Sequence, residues 1–398
     1  MTDRRYVMPD NMVAVSRCDA YHIKELRKAV AGMLSDLGGM DSYVSTGDRV
    51  LLKVNMLSGL SPEKAVTTDP NLVRVICEQV LEAGGKPVIA DSPGGPFTEG
   101  TLRKAYHKCG FAAVAAETGA ELNYNLERRK VSFSGGQIKK SFVLADFINR
   151  VDKVINIPRL KTHGLTMYTG AVKNLFGVIP GLLKAEYHLK MQDIKVFTEM
   201  LIDLALLVEP DLNIMDGIIG MEGEGPSSGQ PRNFGYLLAS PSPFALDVAG
   251  VHLLGIEPPD KVPLIAALRE RGLPWEVTGL DLHGDGLRVA RKVKIPEIEQ
   301  RSNLLDQKLP SAVSSLLNRL LRPRPVFDHS QCTGCGDCFR VCPPDAITME
   351  EGLPEVKLEE CIRCFCCQEM CDFNAVQIHR PLPGRLLNYF SGRDAGQE

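Results

Sequence analysis

The sequence lacks any apolar run long enough to cross a membrane. Its most membrane-like stretch, residues 201–208, is eight residues long and contains Asp203, against the roughly 20 residues a spanning helix needs. Near the start, Arg4 and Arg5 are followed by no apolar stretch, so no secretory signal is expected. Neither charge is in excess. With 46 Lys and Arg against 49 Asp and Glu, the formal net charge is −3, and no basic field exists to gather nucleic acid or anionic lipid. Several chemistries lack their motif. Gly94-Gly95 and Gly223/Gly225 complete neither a Walker loop nor a dinucleotide fingerprint, so neither ATP nor NAD is supported. Ser92 and Ser227 sit outside any G-x-S-x-G elbow. His22, His107, His188, His252, His283, His329 and His379 are isolated, without metal-ligand spacing. Cysteine is scarce over most of the chain: Cys18, Cys77 and Cys109 are scattered early, and the other nine of twelve fall between 332 and 371. Disulfide scaffolds are short secreted chains with cysteine throughout, whereas local clustering in a large chain points to metal. A cytoplasmic protein with no membrane span and no nucleic-acid partner is expected.

What is present is ordinary globular material. Apolar residues make up 44% and charged residues 24% of 398, enough for two or three domains of ~100–200 residues each. Over residues 1–290, strand-like runs alternate with helix-like ones, which predicts an α/β domain around a mainly parallel sheet. Residues 12–18, 50–55, 87–91, 151–158, 210–218 and 234–240 read as strands. Residues 22–37, 101–118, 193–208, 243–254 and 261–271 read as helices, and Thr68-Asp69-Pro70 opens another that ends at Gly84-Gly85. Asp247 reads as a first-turn carboxylate of its own helix. Cys18, Cys77 and Cys109 fall in strand or helix patterns and read as core. From 291 to 325 the composition shifts to a charged linker, with a short amphipathic helix at 311–321 that reads as packing on a flanking domain. Residues 326–382 form a small α+β module, and 383–398 a C-terminal tail.

The module carries an internal repeat. Cys332, Cys335, Cys338 and Cys342 recur as Cys361, Cys364, Cys367 and Cys371, each displaced by 29 positions, and Ala346-Ile347 recurs as Ala375-Val376. Each copy is C-x-x-C-x-x-C-x-x-x-C. In two-cluster ferredoxins the fourth cysteine of each run ligates the other cluster. The expectation is therefore two [4Fe–4S] clusters, one on Cys332, Cys335, Cys338 and Cys371, the other on Cys361, Cys364, Cys367 and Cys342. Zinc sites instead use pairs of C-x-x-C hooks far apart. Cys371 is followed by Asp372 where the first run has Pro343, and a carboxylate there is expected to tune the potential. Cys366 aligns with Asp337 and is no repeat ligand; it reads as a spare thiol before a hydrogen-bonding neighbour or a substitute ligand.

In the α/β domain, short polar groups stand just past strand ends, where such folds place ligand sites. Lys53 and Asn55 end one strand, Asp91-Ser92-Pro93-Gly94-Gly95 follows another, and Lys161-Thr162-His163 follows a third. Residues 170–178 read as a helix capped by Thr169, with Lys173-Asn174 in its first turn. A cation there opposes the helix dipole and makes sense if an anion sits at the N-terminus. This constellation suits a carboxylate or phosphate, with His163 a candidate proton donor.

The run LLKVN, AVTTDP, ADSPGG, PRLKTH and TGAVKNLFGVIPG, in that order and followed by a ferredoxin module, resembles the domain-of-unknown-function 362 family over roughly residues 48–250. The resemblance implies an iron–sulfur protein and assigns no reaction. Its motif positions on this chain are Lys53, Asn55, Thr67, Thr68, Asp91, Ser92, Lys161, His163, Lys173 and Asn174. The leading expectation is an oxidoreductase that relays electrons from a redox partner such as a ferredoxin or flavodoxin, through its clusters, to or from an anionic small molecule, with His163 or Lys161 moving a proton. The alternatives are an electron-transfer or maturation partner without turnover of its own, and clusters that are structural in a non-redox enzyme.

Overall fold

The computed structural model describes residues 11–296 and 323–381. The linker helix expected at 311–321 and the C-terminal tail lie outside the described residues. In the large domain the strands are β1 (Met12–Arg17), β2 (Arg49–Val54), β3 (Lys86–Ala90), β4 (Glu121–Leu122), β5 (Arg128–Ser132), β6 (Ser141–Ala145), β7 (Lys153–Ile157), β8 (Arg159–His163), β9 (Met167–Thr169), β10 (Leu212–Glu222), β11 (Gln230–Ser240) and β12 (Asp281–Gly284). All but the β5–β6 hairpin join one ten-stranded sheet in the order β12-β1-β11-β10-β7-β2-β3-β4, with β8 against β10 and β9 against β8. Pairing is parallel except along β11 and β9. The exception at β11 follows from its short connection to β10, which forces the chain to double back.

Helices cover the sheet. They are α1 (Ile23–Asp36), α2 (Pro70–Glu82), α3 (Glu99–Lys108), α4 (Phe111–Thr118), α5 (Ala171–Asn174), α6 (Leu183–Lys190), α7 (Ile194–Val208), α8 (Pro243–Leu254) and α9 (Pro263–Glu270). Their faces follow the 3.6-residue period: α1 buries Leu26, Ala29, Val30, Met33 and Leu34. Asp69 caps α2 by accepting from Asn71 N, with Pro70 in the first turn. The single helix expected over 101–118 is two, because Gly110 turns the chain at φ +80° between α3 and α4. The helix expected at 170–178 is one α turn, α5, continued by a 3-10 turn over Leu175–Val178. Cys18, Cys77 and Cys109 are buried. Among the described residues no helix is long and apolar enough to cross a membrane.

The sheet's middle positions the site. β2 pairs with β3 on one side and β7 on the other, with Lys53 level with both Ala90 and Asn156. The chain runs outward from β2 to β3 and β4, then returns to lay β7 on the opposite flank. Strand order reverses at β2, and in open α/β sheets the crevice beyond such a reversal is where ligands bind.

The C-terminal domain comprises β13 (Arg324–Phe327), α10 (Asp337–Val341), β14 (Ile347–Glu350), β15 (Leu353–Val356), α11 (Cys366–Glu369) and β16 (Val376–His379), with β13 antiparallel to β16 and β14 to β15. The 29-residue repeat is structural. It relates the starts of α10 and α11, and β14 to β16. It also relates the left-handed residues Gly334, Gly336 and Asp345 to Arg363, Phe365 and Asn374.

Candidate functional site

Three parallel strands end side by side, so the residues after β2 and β3 and those of β8, which follows β7, meet on one edge. Lys53 Nζ lies 2.8 Å from Asp91 Oδ1 with both side chains buried. Burial raises the Asp91 carboxyl and lowers the Lys53 ammonium, and each opposes the shift of the other. Asp91 also accepts from the backbone N–H groups of Met56 and Ser92, both at 2.7 Å. Ser92 Oγ accepts from Gly181 N at 2.7 Å, and Lys184 Nζ donates to Ser92 O at 2.7 Å. Asn174 donates to Asn156 Oδ1 at 2.8 Å and to Lys53 O at 3.2 Å, tying α5 to the ends of β2 and β7.

A cavity of about 80 Å³ opens on this edge, lined by Asn55, Asp91, Ser92, Lys161, Lys173 and Asn174, with Lys184 and His188 from α6. Its far wall belongs to the C-terminal domain: Val341, Cys366, Glu369 and Met370. Six of the ten expected α/β-domain positions therefore line one space. The other four stand behind it. Lys53 backs Asp91, and Thr68 Oγ1 accepts from Asn55 N and donates to Ile157 O. Thr67 is buried with no partner for its hydroxyl among the described residues. His163 faces Glu369.

Charge is concentrated there. Lys161 Nζ donates to Val66 O at 2.6 Å, and burial, helped by Arg159 and Lys173, lowers its pKa to about 7. His163 Nδ1 accepts from Leu165 N at 3.0 Å, so the neutral ring carries its proton on Nε2, 3.3 Å from Glu369 Oε1. That contact is close enough for electrostatic attraction but lies outside hydrogen-bond geometry. Burial and Lys173 lower His163 to about 4, against the pull of Glu369. Burial alone would raise Glu369; Lys173, His163 and His188 outweigh it and hold the carboxyl at about 2. Lys173 thus bears on Lys161, His163 and Glu369 alike, yet among the described residues it has neither hydrogen-bond partner nor ion pair.

One expectation is corrected. The N-terminus of α5 is already occupied: Asp247, from the middle of α8, accepts from Ala171 N at 2.5 Å, Val172 N at 2.9 Å and the Tyr168 hydroxyl at 2.9 Å. Thr169 does not cap it, and the anion there is the protein's own. Burial raises Asp247 to about 7 against those three hydrogen bonds.

The C-terminal domain docks through α11 and its flanks. Ser227 Oγ donates to Gln368 O at 3.2 Å, Gln368 Nε2 to Glu224 O at 3.0 Å, Ser58 Oγ to Asp372 Oδ1 at 3.1 Å and Lys64 Nζ to Asp372 O at 3.1 Å. Arg380 pairs with Glu224. Within the domain the thiols fall into two groups around two cavities. Cys332, Cys335, Cys338 and Cys371 line one; Cys342, Cys361, Cys364 and Cys367 line the other. Backbone N–H groups of Gly334 and Arg363 point at Cys332 and Cys361 Sγ, each at 3.4 Å. These are clustered thiols with amide donors aimed at sulfur, a donor set that fits iron–sulfur clusters. Cys366 lines neither cavity and faces the interdomain one.

Residues 50–252 match the family described as "Domain of unknown function (DUF362)". The chain belongs to the DUF362 family. In this DUF362 protein, residues 324–372 match the 4Fe-4S dicluster domain, which makes it an iron–sulfur protein of electron-transfer type. A thylakoid-associated protein of Synechocystis sp. is 38% identical over 272 residues, 66% of this chain and 79% of that one. The pyruvate synthase subunit PorD of Methanocaldococcus jannaschii is 33% identical over 54 residues, 13% of this chain and 63% of the subunit. Among solved structures, the lactate racemase apoprotein of Thermoanaerobacterium thermosaccharolyticum superposes with a TM-score of 0.38 at 14% identity, over 62% of this chain and 59% of that one. The chain spans under two thirds of that neighbour.

The sequence reading of this DUF362 chain missed Lys184, His188, Glu369 and Met370 in the lining. Asp247 is no first-turn carboxylate of its own helix, and it was open to discovery: a carboxylate in the helix PFALDVAGVHLL, whose other buried residues are all apolar, needs a buried partner.

Proposed function

We propose that this protein is an oxidoreductase in which two [4Fe–4S] clusters exchange electrons with an anionic small molecule held in the interdomain cavity. The observation that carries the reading is the shared wall. Lys161, Lys173 and Asn174 of the α/β domain face the same space as Cys366, Glu369 and Met370, which lie among the thiols of the second group. The first cluster is assigned to Cys332, Cys335, Cys338 and Cys371, and the second to Cys361, Cys364, Cys367 and Cys342, in line with the two thiol-lined cavities. Clusters of this kind, when bound, supply electrons one at a time.

The chain's own residues do the rest. Lys173, unpaired among the described residues, binds the anion; Asn55, Thr67, Thr68, Asp91, Ser92 and Lys53 frame it. Lys161, with a pKa near 7, populates both protonation states at neutral pH and moves the proton. His163, neutral at pH 7, holds Glu369 in place. Cys335 is exposed, as are Phe339 and Phe373 nearby, so a ferredoxin or flavodoxin docks at the first cluster. A reducing cytoplasm suits these thiols.

The test is reoxidation. Protein reduced with dithionite is mixed with a broad metabolite panel and followed by cluster absorbance. An anion that accelerates reoxidation, with the acceleration lost in Lys173→Met, supports the reading; a panel that never accelerates it refutes the reading.

A further inference from the structure

Resting on that cavity reading, we infer that the ligand is a small monocarboxylate that carries its own hydrogen-bond donor, a hydroxyl or N–H close to the acid group. The argument starts at Asn174, which is 6% exposed and lines the cavity. Its Nδ2 donates to Lys53 O, Val54 O and Asn156 Oδ1. All three are acceptors. Asn156 in turn donates through its own Nδ2 to Ala171 O and Asn213 Oδ1, so its oxygen has to face Asn174. Turning the Asn174 amide over would set oxygen against three oxygens, and its orientation is therefore fixed. Oδ1 is left as a buried acceptor with no partner among the described residues, and Asn55 Oδ1, in the same lining, is a second.

A plain oxyanion offers Asn174 Oδ1 nothing, since it brings acceptors only. A donor on the ligand answers it, while its carboxylate answers Lys173, an ammonium without a partner among the described residues. Asp91 and Glu369 already place two acidic side chains in the same lining, which disfavours a ligand with more than one carboxylate. A cavity of about 80 Å³, at roughly 10–15 Å³ per water-sized occupant, restricts the ligand to a few heavy atoms.

Binding is measured by calorimetry on the cluster-loaded full chain, with matched pairs: glycolate against acetate, and 3-hydroxypropionate against propionate. The hydroxylated member of each pair is expected to bind about tenfold tighter or more, as one added hydrogen bond to a buried, unmet acceptor implies. Lys173→Met weakens all four acids. Asn55→Ala narrows the hydroxyl preference within each pair. Equal affinity within each pair, or sulfate binding as tightly as the hydroxy acids, overturns the inference while the oxidoreductase reading stands. Failure of all four acids to bind, with reoxidation driven by some other metabolite, also overturns it. A hydroxyl preference without any reoxidation upholds the ligand class and counts against the oxidoreductase reading instead.

Discussion

Replacing Asp91 with Asn removes one side of an ion pair that water does not reach. Lys53 Nζ and Asp91 Oδ1 stand 2.8 Å apart with side chains 0% and 4% exposed. Burial disfavours both charges, and each is held ionised by the other. Without Asp91, the Lys53 ammonium keeps only Val54 O, at 2.8 Å. Asn also has one acceptor oxygen where two carboxylate oxygens now take Met56 N and Ser92 N. Breaking one side of a buried pair costs about 3–5 kcal/mol, whereas replacing both partners with neutral groups is often close to neutral. Asp91→Asn alone is therefore expected to lose about 3–5 kcal/mol, and Lys53→Met with Asp91→Asn to lose much less, a coupling of about 2 kcal/mol or more. Urea unfolding of the cluster-loaded protein, followed by the single tryptophan, Trp275, measures the cycle. If Asp91→Asn costs under about 1 kcal/mol, or the double variant costs the sum of the singles, the pair is not the electrostatic unit described above.

Gly177→Ala attacks the same pair from outside: a Cβ there would lie 2.1 Å from Asp91 Oδ1 and 2.6 Å from Lys53 Nζ, so a loss comparable to Asp91→Asn is expected in the same unfolding assay. Cys366→Ala is expected to keep the full iron and acid-labile sulfide content, while Cys367→Ala loses about half of it, because a missing thiolate opens one cluster only; equal loss in both would place Cys366 among the ligands. Lys161 binds its proton more weakly folded than unfolded, so between pH 7 and 10 the unfolded chain holds the extra proton and stability rises with pH through this residue. Lys161→Met removes that contribution, up to about 1.4 kcal/mol per pH unit, and an unchanged slope would refute the depressed pKa. Gly94→Leu sets a side chain where a Cβ alone comes 2.5 Å from Met370 Sδ; hydrogen exchange across residues 364–372 is expected to quicken, and undiminished protection would mean that the domains do not close against each other there.

The strand ends were legible in the sequence because parallel sheets carry their polar groups at and just past the carboxyl ends of strands: Lys53 is the last residue but one of β2, Asp91 directly follows β3, and Lys161 comes four residues after β7. The thiol register was legible because the repeat is local. What escaped was long-range. Glu369 and Met370 lie about two hundred residues from Lys161 and Lys173, and no periodicity relates the two segments. Residues 159–163, RLKTH, are a fully buried strand although their composition suggests a loop. Each polar side chain there has a tertiary partner, Asp216 for Arg159 at 2.8 Å and Gly223 O for Thr162 at 2.7 Å, and partners of that kind override local propensity. Asp372, read as tuning a cluster, is held by Ser58 and Lys64 across the domain boundary.

The single turn of α11 sits between Cys364 and Cys371 and supplies Cys366 and Glu369 to the cavity wall, with Met370 next in the chain. Whatever orders those thiols also finishes the wall. Under the proposed function, metal loading and ligand recognition become one checkpoint: a chain whose thiols are left unordered is expected to present an incomplete wall and to lose its hold on the anion.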